Sequence, residues 1–282
     1  MRSATMCACC TPASARCNPA ARPGKILPVV GVWPWRTNRI SVDELWAAGV
    51  FLEAIDTQPT VEHVDSLDKV CADISACRTC PRLVQWREEV ALEKRASFRD
   101  EDYWGKGVPG FGDPSATVWV MGLAPAAHGA NRTGRMFTGD RSGDWLYRAM
   151  HRAGLATQEL SVGRNDGLRL TGAWVSSAVR CAPPDNKPSI DERDSCRTYL
   201  VRERQLLTKV RVVVCLGNFA YEAVCKEWGV RPRPKFGHGV EATASDGITI
   251  ICSYHPSQQN TFTGKLTEPM LDAVFTRARE LS

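Results

Sequence analysis

Residues 117–123 read Thr-Val-Trp-Val-Met-Gly-Leu, a short apolar run with the residue types that favour β-strands. Similar apolar runs occur at residues 173–179, 210–216 and 248–253. Segments with helical patterns lie between and after these runs, at residues 144–153, 191–209, 219–228 and from residue 268 onward. Strands that alternate with helices in this order form a parallel sheet that helices cover on both faces. The sequence therefore predicts an α/β fold.

Two further helical segments precede the first predicted strand. Asp65 and Ser66 are capping residues for a helix that reaches Cys77, and a second, charge-rich helix is predicted over residues 83–98. Residues 1–40 have no hydrophobic periodicity, so we expect a disordered leader there. We expect a single domain over residues 41–282, with a helical N-terminal part at 41–104 and an α/β core at 115–282.

The overall composition is that of a globular protein. The chain has 282 residues, of which 43% are hydrophobic and 24% are charged, and its formal net charge is +5. This mild basic excess permits a polyanionic partner but does not require one. Since there is neither an apolar run of about 18 residues nor the apolar core of a signal peptide, we expect no membrane partner and a cytoplasmic location. We also expect a monomer.

Four of the twelve cysteines are spaced like metal ligands. Cys77 and Cys80 form a CxxC pair, and Cys181 and Cys196 form a second, more widely spaced pair. Four thiolates from two separate segments can bind a structural zinc ion or an iron–sulfur cluster, and the spacing leaves both open.

The other cysteines have different settings. Cys215 and Cys252 lie inside predicted strands, and Cys71 and Cys225 lie in predicted helices, so we expect all four to be small core residues. Four more belong to the leader, at positions 7, 9, 10 and 17.

Three polar loops follow predicted strands, at residues 125–140, 180–188 and 254–264. In open parallel sheets, ligands bind beyond the carboxyl ends of the strands. Because those ends share one edge of the sheet, the three loops are expected to form one site.

Two of these loops carry a family resemblance. The first reads Gly122-Leu123-Ala124-Pro125-Ala126-Ala127-His128-Gly129-Ala130-Asn131-Arg132-Thr133-Gly134-Arg135-Met136-Phe137-Thr138-Gly139-Asp140, and the second reads Ser253-Tyr254-His255-Pro256-Ser257-Gln258-Gln259-Asn260-Thr261. Together with the cysteine layout, they resemble the uracil-DNA glycosylase superfamily, and within it the iron–sulfur branch called type B or family 5. The resemblance covers the chain from about Cys77 to its C-terminus.

The resemblance implies a fold, a cofactor and an activity. The fold is a three-layer α/β/α arrangement with a central four-stranded parallel sheet. The cofactor is a structural [4Fe–4S] cluster on Cys77, Cys80, Cys181 and Cys196. The activity is DNA repair by hydrolysis of the N-glycosidic bond of a uracil flipped out of DNA. No lysine of the site loops suggests a Schiff-base nucleophile, so we expect a monofunctional glycosylase.

The resemblance also suggests roles for single residues, each with a structural alternative. His255 is expected to donate a hydrogen bond to the uracil O2, or else to be a structural histidine. Phe137 is expected to stack on the base, or else to be a core residue. Asp140 is expected to activate water or stabilise the sugar cation, or else to cap a helix. Asn186 is expected to position water or read the base edge, or else to be a turn residue.

Other residues are expected to shape the pocket and contact DNA. Ala124 stands where other branches of the superfamily have an acidic or amide residue, which implies a less selective pocket that also accepts hypoxanthine or other deaminated bases. His128, Asn131 and Arg132 match the type B signature and are expected to shape the pocket. DNA contacts are expected from Ser257, Gln258, Gln259, Asn260, Thr261 and Lys265.

Two questions about DNA stay open at this stage. The residue that wedges into the duplex could be Gln259, Asn260 or Phe262. The substrate is expected to be double-stranded DNA, with single-stranded DNA as a possible second substrate. A second class of function also stays open: a non-catalytic iron–sulfur protein that binds DNA or senses redox state on the same fold.

Overall fold

A six-stranded sheet organises residues 65–282, which are the residues that the computed structural model describes. Its strands are β1 (Phe111–Gly112), β2 (Val118–Gly122), β3 (Ala173–Ser177), β4 (Val212–Leu216), β5 (Glu241–Thr243) and β6 (Thr249–Ser253). The order across the sheet is β1-β3-β2-β4-β6-β5. The four inner strands are parallel, with Val120 paired to Val175 on one side and to Val214 on the other. The predicted four-stranded parallel sheet is thus confirmed as the centre of the structure.

Two short edge strands extend this centre, and the sequence did not predict them. Strand β1 pairs with β3 and strand β5 pairs with β6, both antiparallel. They contain two and three residues, which is too short for an alternating pattern to be visible in the sequence.

Eight α-helices of the described residues surround the sheet. They are α1 (Leu67–Ala76), α2 (Pro81–Glu93), α3 (Ala130–Thr133), α4 (Arg141–Arg152), α5 (Ile190–Leu206), α6 (Asn218–Glu227), α7 (Gln258–Phe262) and α8 (Glu268–Glu280). Ser66 caps α1 as predicted. The second predicted segment ends as a helix at Glu93, and a 3₁₀ turn at Ala96–Phe98 follows it. Helices α3 and α7 were not predicted from the sequence, because they are too short to show helical periodicity.

The sheet separates two apolar cores, which makes the fold three-layered. On one face, Val120, Val214 and Ile251 pack with residues of α4 and α8. On the other face, Trp119 and Val213 pack with residues of α5 and α6. Side chains of one strand alternate between the two faces, so a single run such as Trp119-Val120 contributes to both cores.

The four cysteines expected in the core are buried. Cys215, Cys225 and Cys252 belong to the core beside α6, and Cys71 is buried on α1. The predicted leader at 1–40 and the first part of the predicted domain, 41–64, lie outside the described residues. Among the residues that are described, no helix is long and apolar enough to cross a membrane.

Candidate active site

One cavity of about 540 Å³ brings the three polar loops together at the carboxyl edge of the sheet. Its walls are formed by Leu123, Ala124, Ala126, Met136, Phe137, Asp140, Arg141, Ser142, Asn186, His255, Ser257, Gln258 and Gln259. The loop after β2 supplies the first part of this set, the loop after β3 supplies Asn186, and the loop after β6 supplies the last part. The expected convergence of the loops is therefore present.

Phe137 lies in this cavity with a constrained backbone. Its φ angle is 52°, which is uncommon for a residue with a bulky side chain, and the residue is 6% exposed. Gly122 leaves room for the ring, since a Cβ atom there would lie 2.7 Å from the Phe137 Cζ. The ring also contacts the core on the α4 side, so the packing role is present, while stacking on a base stays a prediction.

A network of hydrogen bonds holds the Phe137 loop in this conformation. Arg135 is buried and donates to Thr138 Oγ1, Ser161 Oγ and Asp166 Oδ2, at 2.9, 2.9 and 2.6 Å. Burial alone would raise the pKa of Asp166, but the hydrogen bonds from Arg135 and from the Leu168 and Gly163 backbone N–H groups, together with the Arg135 charge, outweigh it and hold that pKa below its ordinary value. Sequence reasoning missed this network because Ser161 and Asp166 are distant in sequence and carry no motif.

Asp140 caps a helix and also lines the cavity. Its Oδ1 accepts a hydrogen bond from the Gly143 backbone N–H at 3.0 Å, which makes it the N-cap of α4. Its side chain also lines the cavity. Burial raises the pKa of this carboxyl group, the backbone N–H groups of Gly143 and Ser142 oppose the rise, and the charge of Asp144 adds to it. The capping role is confirmed, and the catalytic role stays a prediction.

The other oxygen of Asp140 is in close contact with Gly129. A Cβ atom at Gly129 would collide with Asp140 Oδ2. The change Gly129→Ala is therefore expected to displace the carboxylate and lower the rate of substrate turnover at least about 10-fold, the effect of a misplaced catalytic group. Single-turnover kinetics will measure it, with Gly163→Ala as the control, since a Cβ atom at Gly163 meets nothing within 4 Å and Gly163 does not have a positive φ. Unchanged turnover in Gly129→Ala would contradict a catalytic role for this oxygen.

His255 faces Phe137 across the cavity, with 5.9 Å between the ring centroids. Burial lowers the pKa of His255 to about 4, so the imidazole is neutral near pH 7. Asn260 Nδ2 donates to the His255 backbone oxygen at 2.9 Å and braces the strand end. Among residues 65–282, no side chain or backbone group hydrogen-bonds to the imidazole nitrogens, which leaves them available to a ligand.

Asn186 lies at the rim of the cavity, in a 3₁₀ turn at Pro184–Asn186. Its side chain is exposed, and both Asp185 and Asn186 have positive φ angles, of 54° and 56°. Asn and Asp tolerate this conformation better than other residues, so the turn role is confirmed. A contact with water or base stays a prediction. Ala124 lies in the cavity wall, and its small side chain also packs against the buried side chains around Cys181 and Cys196.

His128 and Asn131 do not line the cavity, in contrast to the expectation from sequence. The His128 Nδ1 and the Tyr103 hydroxyl are 3.0 Å apart and hydrogen-bonded. Asn131 is fully buried, and its Nδ2 donates to the Arg87 backbone oxygen at 3.1 Å. Asn131 lies on the short helix α3, which the sequence did not reveal and which turns its side chain into the protein, while His128 lies in the loop just before this helix. Both residues stabilise the loop after β2 without lining the cavity. Arg132 also stabilises this loop, by donating to the His128 and Gly139 carbonyl oxygens.

The residues expected to contact DNA divide into two groups. Gln258 and Gln259 are exposed at the cavity, and Ser257 lines it while its Oγ caps α7. Asn260 is occupied with the His255 carbonyl, and Thr261 Oγ1 donates to the Gln258 carbonyl. Lys265 lies outside the cavity wall, with its Nζ 4.8 Å from the Tyr254 ring centroid.

The four cysteines expected to bind metal lie together. Cys77 ends α1, Cys80 begins α2, Cys181 follows β3, and Cys196 is on α5. Cys80, Cys181 and Cys196 pack around Leu83, and burial raises the pKa of the Cys196 thiol to about 12. Within residues 65–282, no three Cys, His, Asp or Glu side chains are close enough to hold a single metal ion.

Comparisons with known proteins show the family of the chain. Residues 109–279 match the model of the uracil DNA glycosylase superfamily. The chain is 51% identical over 220 residues to a type-5 uracil-DNA glycosylase of Mycobacterium bovis, which covers 77% of this chain and 82% of that protein. It is 50% identical to proteins of the same name from Mycobacterium leprae, with 77% and 96% covered, and from Thermus thermophilus, with 74% and 95% covered. The chain belongs to the uracil-DNA glycosylase superfamily.

Proposed function

We propose that this protein is a monofunctional DNA-repair glycosylase that hydrolyses the N-glycosidic bond of uracil in DNA. The observation that carries the proposal is the shared cavity of Phe137, Asp140 and His255, which provides an aromatic ring, a carboxylate and a neutral imidazole around one space. Relatives of about 50% identity that cover most of the chain are named uracil-DNA glycosylases, which supports the same activity.

The reaction needs a nucleotide turned out of the helix, because the bond to the base is inaccessible in stacked DNA. In the cavity, the Phe137 ring is placed to stack on the flat face of the base. The His255 imidazole donates an N–H to the carbonyl oxygen on which negative charge develops as the base leaves. Asp140 accepts a proton from the attacking water or stabilises the positive sugar, and its deprotonated form is the active one.

The neutral state of His255 gives a prediction about pH. Since burial lowers its pKa to about 4, the imidazole stays uncharged down to well below its ordinary pKa of 6.5. We therefore expect no change in the single-turnover rate attributable to His255 between pH 8 and pH 6, and no titration of its ring protons in that range by NMR. A His255 ring that titrates near pH 6.5 would mean that the protein gains a cationic donor.

Removing the donor should be costly. We expect His255→Ala to lower turnover by about 10²- to 10³-fold, the usual loss for one preorganised hydrogen-bond donor to a developing anion. The visible absorbance of an iron–sulfur cluster should be unchanged, since the described contacts of His255 do not include the four cysteines. The exposed His151→Ala is a suitable control.

The pocket is proposed to accept more than uracil. Ala124 brings only a methyl group to the wall, so no acid or amide at this position reads the base edge. We expect hypoxanthine and other deaminated bases as additional substrates. Duplex DNA is the proposed main substrate, with single strands as a second one, and the protein is proposed to act as a monomer.

The DNA surface is proposed to include Gln258, Gln259 and the neighbouring pair of Arg141 and Phe262. Phe262 is 68% exposed, and the Arg141 guanidinium lies 4.8 Å from its ring centroid. Asn260 is unavailable for insertion into the duplex because it holds the His255 carbonyl. The wedge is therefore Gln259 or Phe262.

The cofactor is proposed to be a [4Fe–4S] cluster on Cys77, Cys80, Cys181 and Cys196, as in the type B, iron–sulfur branch. A tetrahedral zinc ion would hold four sulfurs about 3.8 Å apart, whereas a cubane cluster gives each thiolate its own iron and suits a wider set. We favour the cluster because of the resemblance to that branch, and the four thiols are the ligand set that such a cluster uses. A cluster there supplies a cross-link between the α1–α2 junction, the loop after β3, and α5.

A base-release assay tests the proposed activity. Purified protein that carries iron is incubated with oligonucleotides containing uracil, hypoxanthine, xanthine or an etheno-base, both single- and double-stranded. We expect free uracil to be the fastest product and no strand cleavage without alkali. Protein that carries iron and releases neither uracil nor hypoxanthine would refute the proposal.

A further inference from the structure

Arg87 is a buried cation in the middle of α2 that points at the cysteines. Its side chain is 1% exposed. Its Nη1 donates to Cys181 Sγ and its Nη2 donates to the Cys77 backbone oxygen, both at 2.8 Å. The guanidinium thus contacts one proposed ligand from each cysteine pair.

The negative partner that a buried guanidinium requires is not a buried carboxylate here. Two other buried arginines of residues 65–282 have one: Arg135 pairs with Asp166 and Arg180 pairs with Glu203. For Arg87, the ion pair found among those residues is with Glu88, 4.0 Å away and 44% exposed. With the proposed cluster bound, the ligand sulfur atoms would carry the negative charge that balances Arg87.

The backbone of the same residue connects to the cavity. The Arg87 carbonyl oxygen accepts a hydrogen bond from Asn131 Nδ2 on α3. Helix α3 begins directly after Gly129, the residue in contact with the Asp140 carboxylate. Three contacts thus lead from the Cys181 sulfur through Arg87 and Asn131 to the acid of the cavity.

We propose that Arg87 is a positioning residue with two roles, one toward the cluster and one toward Asp140. Its side chain stabilises the thiolate of Cys181 with a charge-assisted hydrogen bond. Its place in α2, fixed by that bond, holds Asn131 and thereby α3 and Asp140. The inference rests on the proposed [4Fe–4S] cluster. In this proposal the cluster would have a second effect besides cross-linking. Its negative charge would hold Arg87 in place, and Arg87 would hold the cavity wall.

The test compares Arg87→Met and Arg87→Lys with wild type and with Arg78→Gln. Arg78 lies between Cys77 and Cys80 in the sequence, but it is exposed and pairs with Glu88. The readouts are the rate at which a chelator bleaches the visible absorbance, the reduction potential of the cluster, and kcat and KM for uracil release.

We expect Arg87→Met to lose iron about 10-fold faster, since a hydrogen bond to a charged group is removed. Its reduction potential should become more negative, because the reduced cluster loses a neighbouring positive charge. Uracil release should show a lower kcat with little change in KM. Arg87→Lys keeps the charge and should retain the potential, while Arg78→Gln should match wild type in every readout.

Four results would overturn the inference. Arg87→Met could retain the wild-type potential and rate of iron loss, or Arg78→Gln could shift both as much as Arg87→Met does. If Arg87→Met does not fold, Arg87→Lys decides: a more negative potential despite its charge would contradict the electrostatic role. Wild-type protein without iron would refute the cluster itself and this inference with it, whatever its glycosylase activity.

Discussion

Replacing Asp140 with asparagine should lower the single-turnover rate of uracil release by about 10²- to 10⁴-fold. The carboxylate lines the cavity with Phe137 and His255, and an amide can neither take a proton from water nor balance a positive sugar. The fold should be little affected, because asparagine is as good an N-cap as aspartate and can still accept from the Gly143 N–H.

A comparison with Asp140→Ala separates the two roles of this residue. The alanine variant loses both the carboxylate and the cap, so its free energy of unfolding should fall by about 1 kcal/mol relative to Asp140→Asn. Both variants should be equally slow in uracil release. If Asp140→Asn keeps wild-type turnover, Asp140 is a capping residue alone, and a non-catalytic function on this fold becomes the better account.

Replacing Cys181 with alanine should have the largest effect on the protein as a whole. Cys181 is buried, receives a hydrogen bond from Arg87, and packs against Cys196 in the proposed cluster site. We expect loss of the visible absorbance and a fall in the free energy of unfolding of at least about 4 kcal/mol, because metal binding contributes directly to folding. Iron content, absorbance and thermal unfolding measure these effects.

Cys215→Ala is the matched control for this prediction. Cys215 is also fully buried, but it lies in β4 among apolar side chains of the core beside α6. Its replacement should keep the absorbance and cost about 1 kcal/mol, a typical value for a small core change. Similar effects of Cys181→Ala and Cys215→Ala would show that Cys181 is an ordinary core cysteine and that the cluster assignment is wrong.

The central sheet and the location of the site could be predicted from the sequence, because both depend on long, repeated signals. Buried parallel strands are continuous apolar runs, such as residues 117–123, and their carboxyl ends share one edge of the sheet. The loops with Phe137, Asp140 and His255 therefore had to meet, whatever their detailed conformations.

The orientation of single side chains could not be predicted, because it depends on contacts between distant residues. His128 and Asn131 were expected in the cavity wall, yet His128 hydrogen-bonds to Tyr103, and the four-residue helix α3 turns Asn131 toward Arg87. The positive φ of Phe137 depends on space left by Gly122 and on the buried Arg135–Asp166 pair. None of these features has a local sequence pattern.

The most direct test of the central claim is the identity of the product. A duplex oligonucleotide with one uracil opposite guanine is incubated with iron-containing wild-type protein and with Asp140→Asn, and the small molecules released are identified by mass spectrometry. We predict one free uracil per abasic site for the wild type and a rate at least about 100-fold lower for the variant. Intact uracil-containing DNA after prolonged incubation with the wild type would contradict the account.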